Sequence, residues 1–243
     1  MWPEERNPCF TPLSQQMARF ARAVAVGVAH HVTQRGVNHQ RVFFTDSDRH
    51  TYLDCLQAYS EQARLRILTY CLMTNHIHLV VIPDEPASLA IALRRTHGRY
   101  ALYLNARRTR TGHLWQNRFY SCALDQRHLW IALRYAERNP VRARLVQRPE
   151  HYQWSSAAAH LGIGAPCPWL DWQFHADAGG VERWTSLLAE PDELAAIRTL
   201  QRGTFTGRPV GNAEFVAQLE KDLGRPLAPR QRGRKKTSAA AGT

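Results

Sequence analysis

Two histidines one residue apart, His76 and His78, open the apolar run Leu79-Val80-Val81-Ile82 directly after Thr74-Asn75. On a strand, side chains alternate faces, so both imidazoles leave the same side, about 7 Å apart along the chain. At that spacing their ring nitrogens can converge on one divalent ion, while Ile77 and Leu79 face the core. Alternating histidines on a polar sheet face are equally compatible with ordinary surface residues. A second set, Arg134-Tyr135-Ala136-Glu137-Arg138-Asn139-Pro140, reads as the end of a helix. Positions i and i+4 share a helical face, which puts the Asn139 carboxamide near the Tyr135 phenol. Of the eight tyrosines, Tyr135 alone has a carboxamide, carboxylate or imidazole four residues on. A phenol ionises near pH 10 and is a weak nucleophile at neutral pH. A divalent cation beside it would help by polarising a scissile phosphate and neutralising the charge developing there. The competing reading is a tyrosine packed into the core of an amphipathic helix. Asn139 also precedes a proline, which disfavours the α region and can place it just past the last turn.

The elements that must position these residues follow from periodicity. Val24 to Gln34 is valine-rich and ends in alternation, predicting a strand. Arg35-Gly36-Val37-Asn38 is turn chemistry and Val42-Phe43-Phe44 a second short apolar piece. Asp46 or Ser47 is expected to cap a helix to about Ala63, with Tyr52, Leu53, Leu56 and Tyr59 on one face. Leu65 to Met73 and His76 to Ile82 read as a strand pair. Ser88 is expected to cap a helix to about Ala106, a loop then runs into a strand ending at Ala123, and Asp125 caps a helix that Pro140 ends. This order predicts an α+β domain of ferredoxin-like kind, an antiparallel sheet with helices packed on one face. After about residue 163 the pattern weakens, and residues 191–222 are expected to hold two short helices.

Charge narrows the partners. The 32 Lys and Arg against 20 Asp and Glu give a net charge of +12, and the excess is mostly arginine, whose planar fork matches phosphate. A polyanion partner is favoured over an ordinary basic enzyme. Arginines from Arg94 to Arg110, including Arg99, flank Leu114-Trp115-Gln116-Asn117-Arg118-Phe119-Tyr120. Arginines can hold phosphates while aromatic rings stack on unpaired bases; here Trp115 and Phe119 read as core and the arginines as partner-facing. The tail Arg230-Gln231-Arg232-Gly233-Arg234-Lys235-Lys236 can enter a minor groove or act as an electrostatic tether. Five scattered cysteines without C-x-x-C pairs argue against a disulfide framework or a four-thiolate zinc site. A zinc site of Cys71, His76 and His78 is disfavoured, because alternation is read as putting Cys71 out of register across the turn. The longest early apolar stretch is too short to span a bilayer, and a cytoplasmic protein is expected.

Taken together and in order, several motifs resemble a known family. They are His31-Val32-Thr33-Gln34-Arg35-Gly36, Val42-Phe43-Phe44, Tyr70-Cys71-Leu72-Met73-Thr74-Asn75-His76-Ile77-His78-Leu79, Gly112-His113-Leu114-Trp115-Gln116-Asn117-Arg118-Phe119-Tyr120 and Leu133-Arg134-Tyr135-Ala136-Glu137-Arg138-Asn139-Pro140-Val141. The set is similar to the single-tyrosine HUH transposases, and among these to the REP-associated tyrosine transposases of bacteria, over about residues 20–162. Trp154-Ser155-Ser156 falls where such domains close. The resemblance implies that His76 and His78 bind Mg²⁺ or Mn²⁺, with Asn139 completing the ligand set. It implies that Tyr135 attacks a phosphodiester of single-stranded, hairpin-forming DNA and forms a 5′-phosphotyrosine link. Arg35, Arg99, Arg118, Arg232, Arg234 and Lys235 are the DNA-contacting candidates. The expected divisions are an arm (1–22), the HUH domain (23–162), a small helical region (163–222) and a basic tail (223–243). A monomer or homodimer acting at the nucleoid is expected, and a non-cleaving hairpin binder or repressor on the same fold is the alternative. Two departures, Thr74 where proline is common and Val37 where a small or polar residue is common, stand away from the chemistry.

Overall fold

The computed structural model describes residues 22–165 and 167–227. Strands β1 (His30–Arg35), β2 (Leu65–Leu72), β3 (His76–Pro83) and β4 (Tyr120–Ala123) form one antiparallel sheet in the order β2-β3-β1-β4. Helix α1 (Asp46–Gln62) joins β1 to β2, α2 (Ser88–Arg107) joins β3 to β4, and α3 (Gln126–Glu137) follows β4. The expected α+β architecture is therefore present. A short helix, α4 (Asn139–Arg142), continues from α3, followed by α5 (Ala157–His160), α6 (Trp172–Asp177), α7 (Gly180–Ala189), α8 (Leu194–Thr206) and α9 (Ala213–Leu223). The last two are the helices expected in 191–222; α6 and α7 lie in the stretch 163–222 expected to be helical, though neither is legible there as an individual helix.

Both sheet faces are covered. Ile77, Leu79 and Val81 of β3 share a core with Tyr52 and Leu56 of α1 and Leu93 of α2. Val80 and Ile82 point the other way, into a core with Leu129 and Leu133 of α3 and Trp184 of α7. The expectation of helices on one face thus holds for α1 and α2, while α3, α7 and α8 pack on the opposite face. The reason lies in β3: beyond its two histidines it has no polar set to offer water, and all eight residues are buried.

Other boundaries shift for local reasons. β1 begins at His30 rather than Val24, because Gly27 turns the chain at φ 73° and its N–H donates to Pro83 O. The cap of α1 is Thr45, not Asp46 or Ser47: Thr45 Oγ1 accepts from Asp48 N, and the Asp48 carboxylate accepts from Thr45 N. Ser88 is the first residue of α2 rather than its cap, although its hydroxyl accepts from Glu85 N. Asp125 caps α3 as expected. Gly36, at the end of β1, has no room for a side chain, since a Cβ would lie 2.4 Å from Gln40 O.

The later helices are tied to the sheet rather than hanging from it. Val210 N donates to Ala123 O at 2.8 Å, and Asp125 N to Val210 O at 3.0 Å. Gly203 allows α8 to approach this segment, because a Cβ there would lie 2.1 Å from Val210 Cγ2.

Candidate active site

The register of β1 against β3 places Thr33 opposite His78 and Arg35 opposite His76, so His31, Thr33 and Arg35 share the face of the two histidines. Helix α3 crosses that face and brings Tyr135 to it. The His76 and His78 rings meet edge to face at 5.0 Å between centroids, and Tyr135 meets His78 at 5.2 Å and His31 at 5.8 Å in the same manner. His31 stacks on His78 at 5.2 Å, with its Nε2 3.0 Å from His78 Nδ1. His76 Nδ1 donates to Asn75 Oδ1 at 2.6 Å, an orientation of Asn75 supported by its Nδ2 donating to His39 O. The paired histidines and the tyrosine, 57 residues apart between His78 and Tyr135, are therefore neighbours.

Helix α8 reaches the same place from the far end of the chain. Gln201 Nε2 donates to Tyr135 Oη at 2.9 Å, and His31 Nδ1 lies 2.7 Å from Thr204 Oγ1. Arg142, seven residues after Tyr135 and so on the same side of the helical path, lays its guanidinium 4.2 Å from the Tyr135 ring centroid and donates to Tyr135 O. Arg134, Arg138 and Arg142 recur every fourth residue and pair with the acidic connection between α7 and α8. Arg134 meets Glu190 and Glu193, while Arg138 and Arg142 meet Asp192.

Two residues past the tyrosine, Glu137 anchors α3 to the sheet. It is fully buried, and its Oε1 accepts from Thr69 Oγ1, Ser156 Oγ and His160 Nδ1, each at 2.6 Å. Burial opposes its ionisation, yet His160 and the two hydroxyls hold the carboxyl below its ordinary range. Ser156 N also donates to Tyr70 O, and Leu72 N to Trp154 O, so the Trp154-Ser155-Ser156 stretch closes against β2.

The remaining candidates divide. Asn139 is buried at the start of α4, after the break at Arg138 (φ −86°, ψ 1°), and no hydrogen bond joins it to His76 or His78. Arg35 is at the site, its NH1 3.2 Å from His39 Nδ1. Arg118 is exposed in the loop before β4; that loop runs along the end of β1, with Gln116 N donating to Arg35 O. Arg99 is exposed on α2, which packs on the other face of the sheet, so the fold does not bring it to the histidines. Arg232, Arg234 and Lys235 lie outside the described residues. Trp115 and Phe119 pack into the core as expected. One expectation is reversed: Cys71 is not out of register but pairs directly with His78, because the turn from Met73 to His76 preserves the alternation. Its thiol is nonetheless pushed far up by burial and donates to Met73 Sδ, so it presents no thiolate to the histidines.

Reading the sequence missed four participants. His31 was visible as an alternation partner of Thr33 and Arg35, and Arg142 as the i+7 neighbour of Tyr135. Gln201 and Thr204 left no local signal, since their role depends on where α8 docks.

Burial keeps these imidazoles neutral. Desolvation, with Arg35 and His39 adding, lowers His76 to about 3; desolvation lowers His31 to about 3, His30 to about 4 and His97 to about 3. His78 is lowered well below its usual value by burial and by His76 and His31. In the unfolded chain each titrates near 6.5, so the stability they contribute is complete above that pH and is lost as pH falls towards 3 or 4. Each can contribute a slope of up to about 1.4 kcal/mol per pH unit. Urea unfolding at pH 5 is therefore expected to take up more than two protons and to show a midpoint well below that at pH 7. A midpoint unchanged from pH 7 to pH 5 would contradict the neutral-histidine core.

Residues 26–139 match the model of a family described as Transposase IS200 like. A solved structure of the REP-associated tyrosine transposase bound to a REP hairpin superposes with a TM-score of 0.53 at 16% identity, covering 63% of this chain and 91% of that one. At that identity the likeness is one of fold. Among curated proteins none matches.

Proposed function

With residues 26–139 as an IS200-like transposase domain, we propose that the chain cleaves and rejoins single-stranded, hairpin-forming DNA of the REP type through a covalent link to Tyr135. The observation that carries the reading is the convergence of Tyr135, His76, His78 and His31 from three elements onto one sheet face. Ordinary surface histidines would be exposed, whereas His76 and His78 are each 5% exposed and lie against a phenol.

The two histidines have the donor chemistry for a divalent ion, although among the described residues no group of three His, Cys, Asp or Glu is placed to hold one. His76 Nδ1 is occupied by Asn75 and His78 Nδ1 by His31, which leaves the two Nε2 atoms as the donors available, on rings that burial keeps neutral. Mg²⁺ or Mn²⁺ held by His76 and His78, with Asn139 as the proposed third ligand, would polarise the scissile phosphate. Tyr135 Oη forms the bond to phosphorus, losing its proton as the P–O3′ bond breaks and the leaving 3′ oxygen takes one up. The product is a 5′-phosphotyrosine, and attack by a 3′-hydroxyl reverses the step to rejoin strands. Gln201 orients Oη, while Arg142 and Arg35 place positive charge where the phosphate must sit. Arg118, exposed in the loop that runs beside the end of β1, would hold backbone phosphates. Tyr135 lies against the histidines of its own chain, which supports a site that one chain can assemble. Among the described residues no helix is long and apolar enough to cross a membrane.

The test is incubation of single-stranded hairpin DNA with the full chain and Mn²⁺, followed by denaturing electrophoresis. A protein–DNA adduct that a chelator abolishes is expected. A mobility shift on native gels with no adduct at any metal concentration would overturn cleavage in favour of the hairpin-binding alternative.

A further inference from the structure

The direction of hydrogen bonding around His78 is fixed from outside the residues that match the transposase family. Thr204 of α8 has a single hydroxyl proton and three neighbours for it; Leu200 O, at 2.8 Å in its own helix, can only accept, whereas His31 Nδ1 and Cys122 Sγ can each donate, so giving the proton to Leu200 O satisfies all three. Towards His31 Nδ1, at 2.7 Å, Thr204 Oγ1 can then act solely as acceptor. Cys122 Sγ lies 3.2 Å away on β4, where its thiol can donate to the same oxygen. His31 thus carries its proton on Nδ1. Being 1% exposed, with an imidazole rather than a carboxylate facing its Nε2, it carries that one proton and presents a bare Nε2 to His78. His78 Nδ1, 3.0 Å from that Nε2, must donate to it. The proton of His78 is thereby confined to Nδ1 and its Nε2 is left as a lone pair.

We propose that Thr204 and His31 form a positioning relay that selects the metal-binding tautomer of His78. The inference rests on the proposed metal site only for its purpose; the tautomer itself is a property of the free protein. The arrangement follows the general logic by which outer hydrogen bonds orient metal-ligating imidazoles. It has an unusual origin, because the last group of the relay stands on a helix far along the chain. That helix is held close by Gly203, where a side chain would strike Val210. His76 reaches the same tautomer by a local route, through Asn75. One histidine is therefore set by its neighbour in sequence and the other by the docking of α8.

The experiment is ¹⁵N-edited NMR of the histidine side chains in the full-length protein without metal, together with titration by Mn²⁺ alone. In the wild type, His78 is expected to be protonated on Nδ1 with Nε2 bare. Thr204→Val keeps the shape but removes the acceptor. It is expected to give His78 a mixture of tautomers and to weaken Mn²⁺ binding about tenfold or more. Thr204→Ser restores the acceptor and is expected to recover both. Cys122→Ala, which removes a second contact of Thr204 Oγ1 but leaves it free to accept from His31, is expected to change neither. His78 protonated on Nε2 in the wild type would overturn the proposal. So would Thr204→Val binding Mn²⁺ as tightly as Thr204→Ser in folded protein. If wild-type protein shows the expected tautomer yet binds no Mn²⁺, the metal reading fails while the relay stands.

Discussion

Tyr135→Phe is expected to reduce covalent adduct and strand transfer by at least about a thousandfold. The change removes one oxygen from a ring that is 6% exposed and leaves its edge-to-face contacts with His78 and His31 intact. The hydrogen bond from Gln201 Nε2 is lost, which costs about 1 kcal/mol of stability. Folding and hairpin affinity should therefore survive while chemistry disappears. The Tyr70 and Tyr100 phenols are pushed up by burial and lie on the other side of the sheet, so Tyr120, which shares the histidine face beyond Thr33, is the tyrosine to check for residual adduct. Quantifying adduct on denaturing gels beside affinity on native gels separates the two effects. Parallel loss of both would point to a folding defect instead.

Glu137→Ala is expected to lower the unfolding free energy by about 3–5 kcal/mol, the cost typical of deleting one partner of a buried charged network. Three donors converge on its Oε1, from β2, from the segment after α4 and from α5; His160 would lose its acceptor, while Thr69 and Ser156 would keep only their contacts with each other and with Tyr70 O. Glu137→Gln retains an acceptor oxygen and should cost less. The consequence reaches the site, because the carboxylate pins the helix that carries Tyr135 to the strand that pairs with β3. Urea denaturation measures the effect directly. A loss below about 1 kcal/mol for Glu137→Ala would mean that the network is not what holds α3 in place.

Much of the site was legible because its spacing is local. Strand alternation was enough to pair His76 with His78, and the i+4 rule singled out Tyr135 among eight tyrosines. The same rules could not show that His31 completes the cluster, since that depends on the β1–β3 register. Gln201 and Thr204 were further out of reach, because the docking of α8 is decided by long-range packing through Gly203 and Val210. Arg99 shows the limit from the other side. Its type and neighbourhood suited DNA, but α2 is drawn by its apolar stripe to the face away from the histidines. For the sheet, type and order of elements followed from periodicity. The two-sided covering did not, because the helices of the second layer lie where the sequence pattern is weakest.

The central claim is that Tyr135 is the atom-level point of attachment to DNA. Mass spectrometry of the tryptic peptides from an adduct formed with single-stranded hairpin DNA and Mn²⁺ tests it most directly. A 5′-phosphonucleotide is expected on the peptide containing Tyr135, and no modified peptide from Tyr135→Phe protein. Attachment at any other residue, or adduct persisting undiminished in Tyr135→Phe, would contradict it.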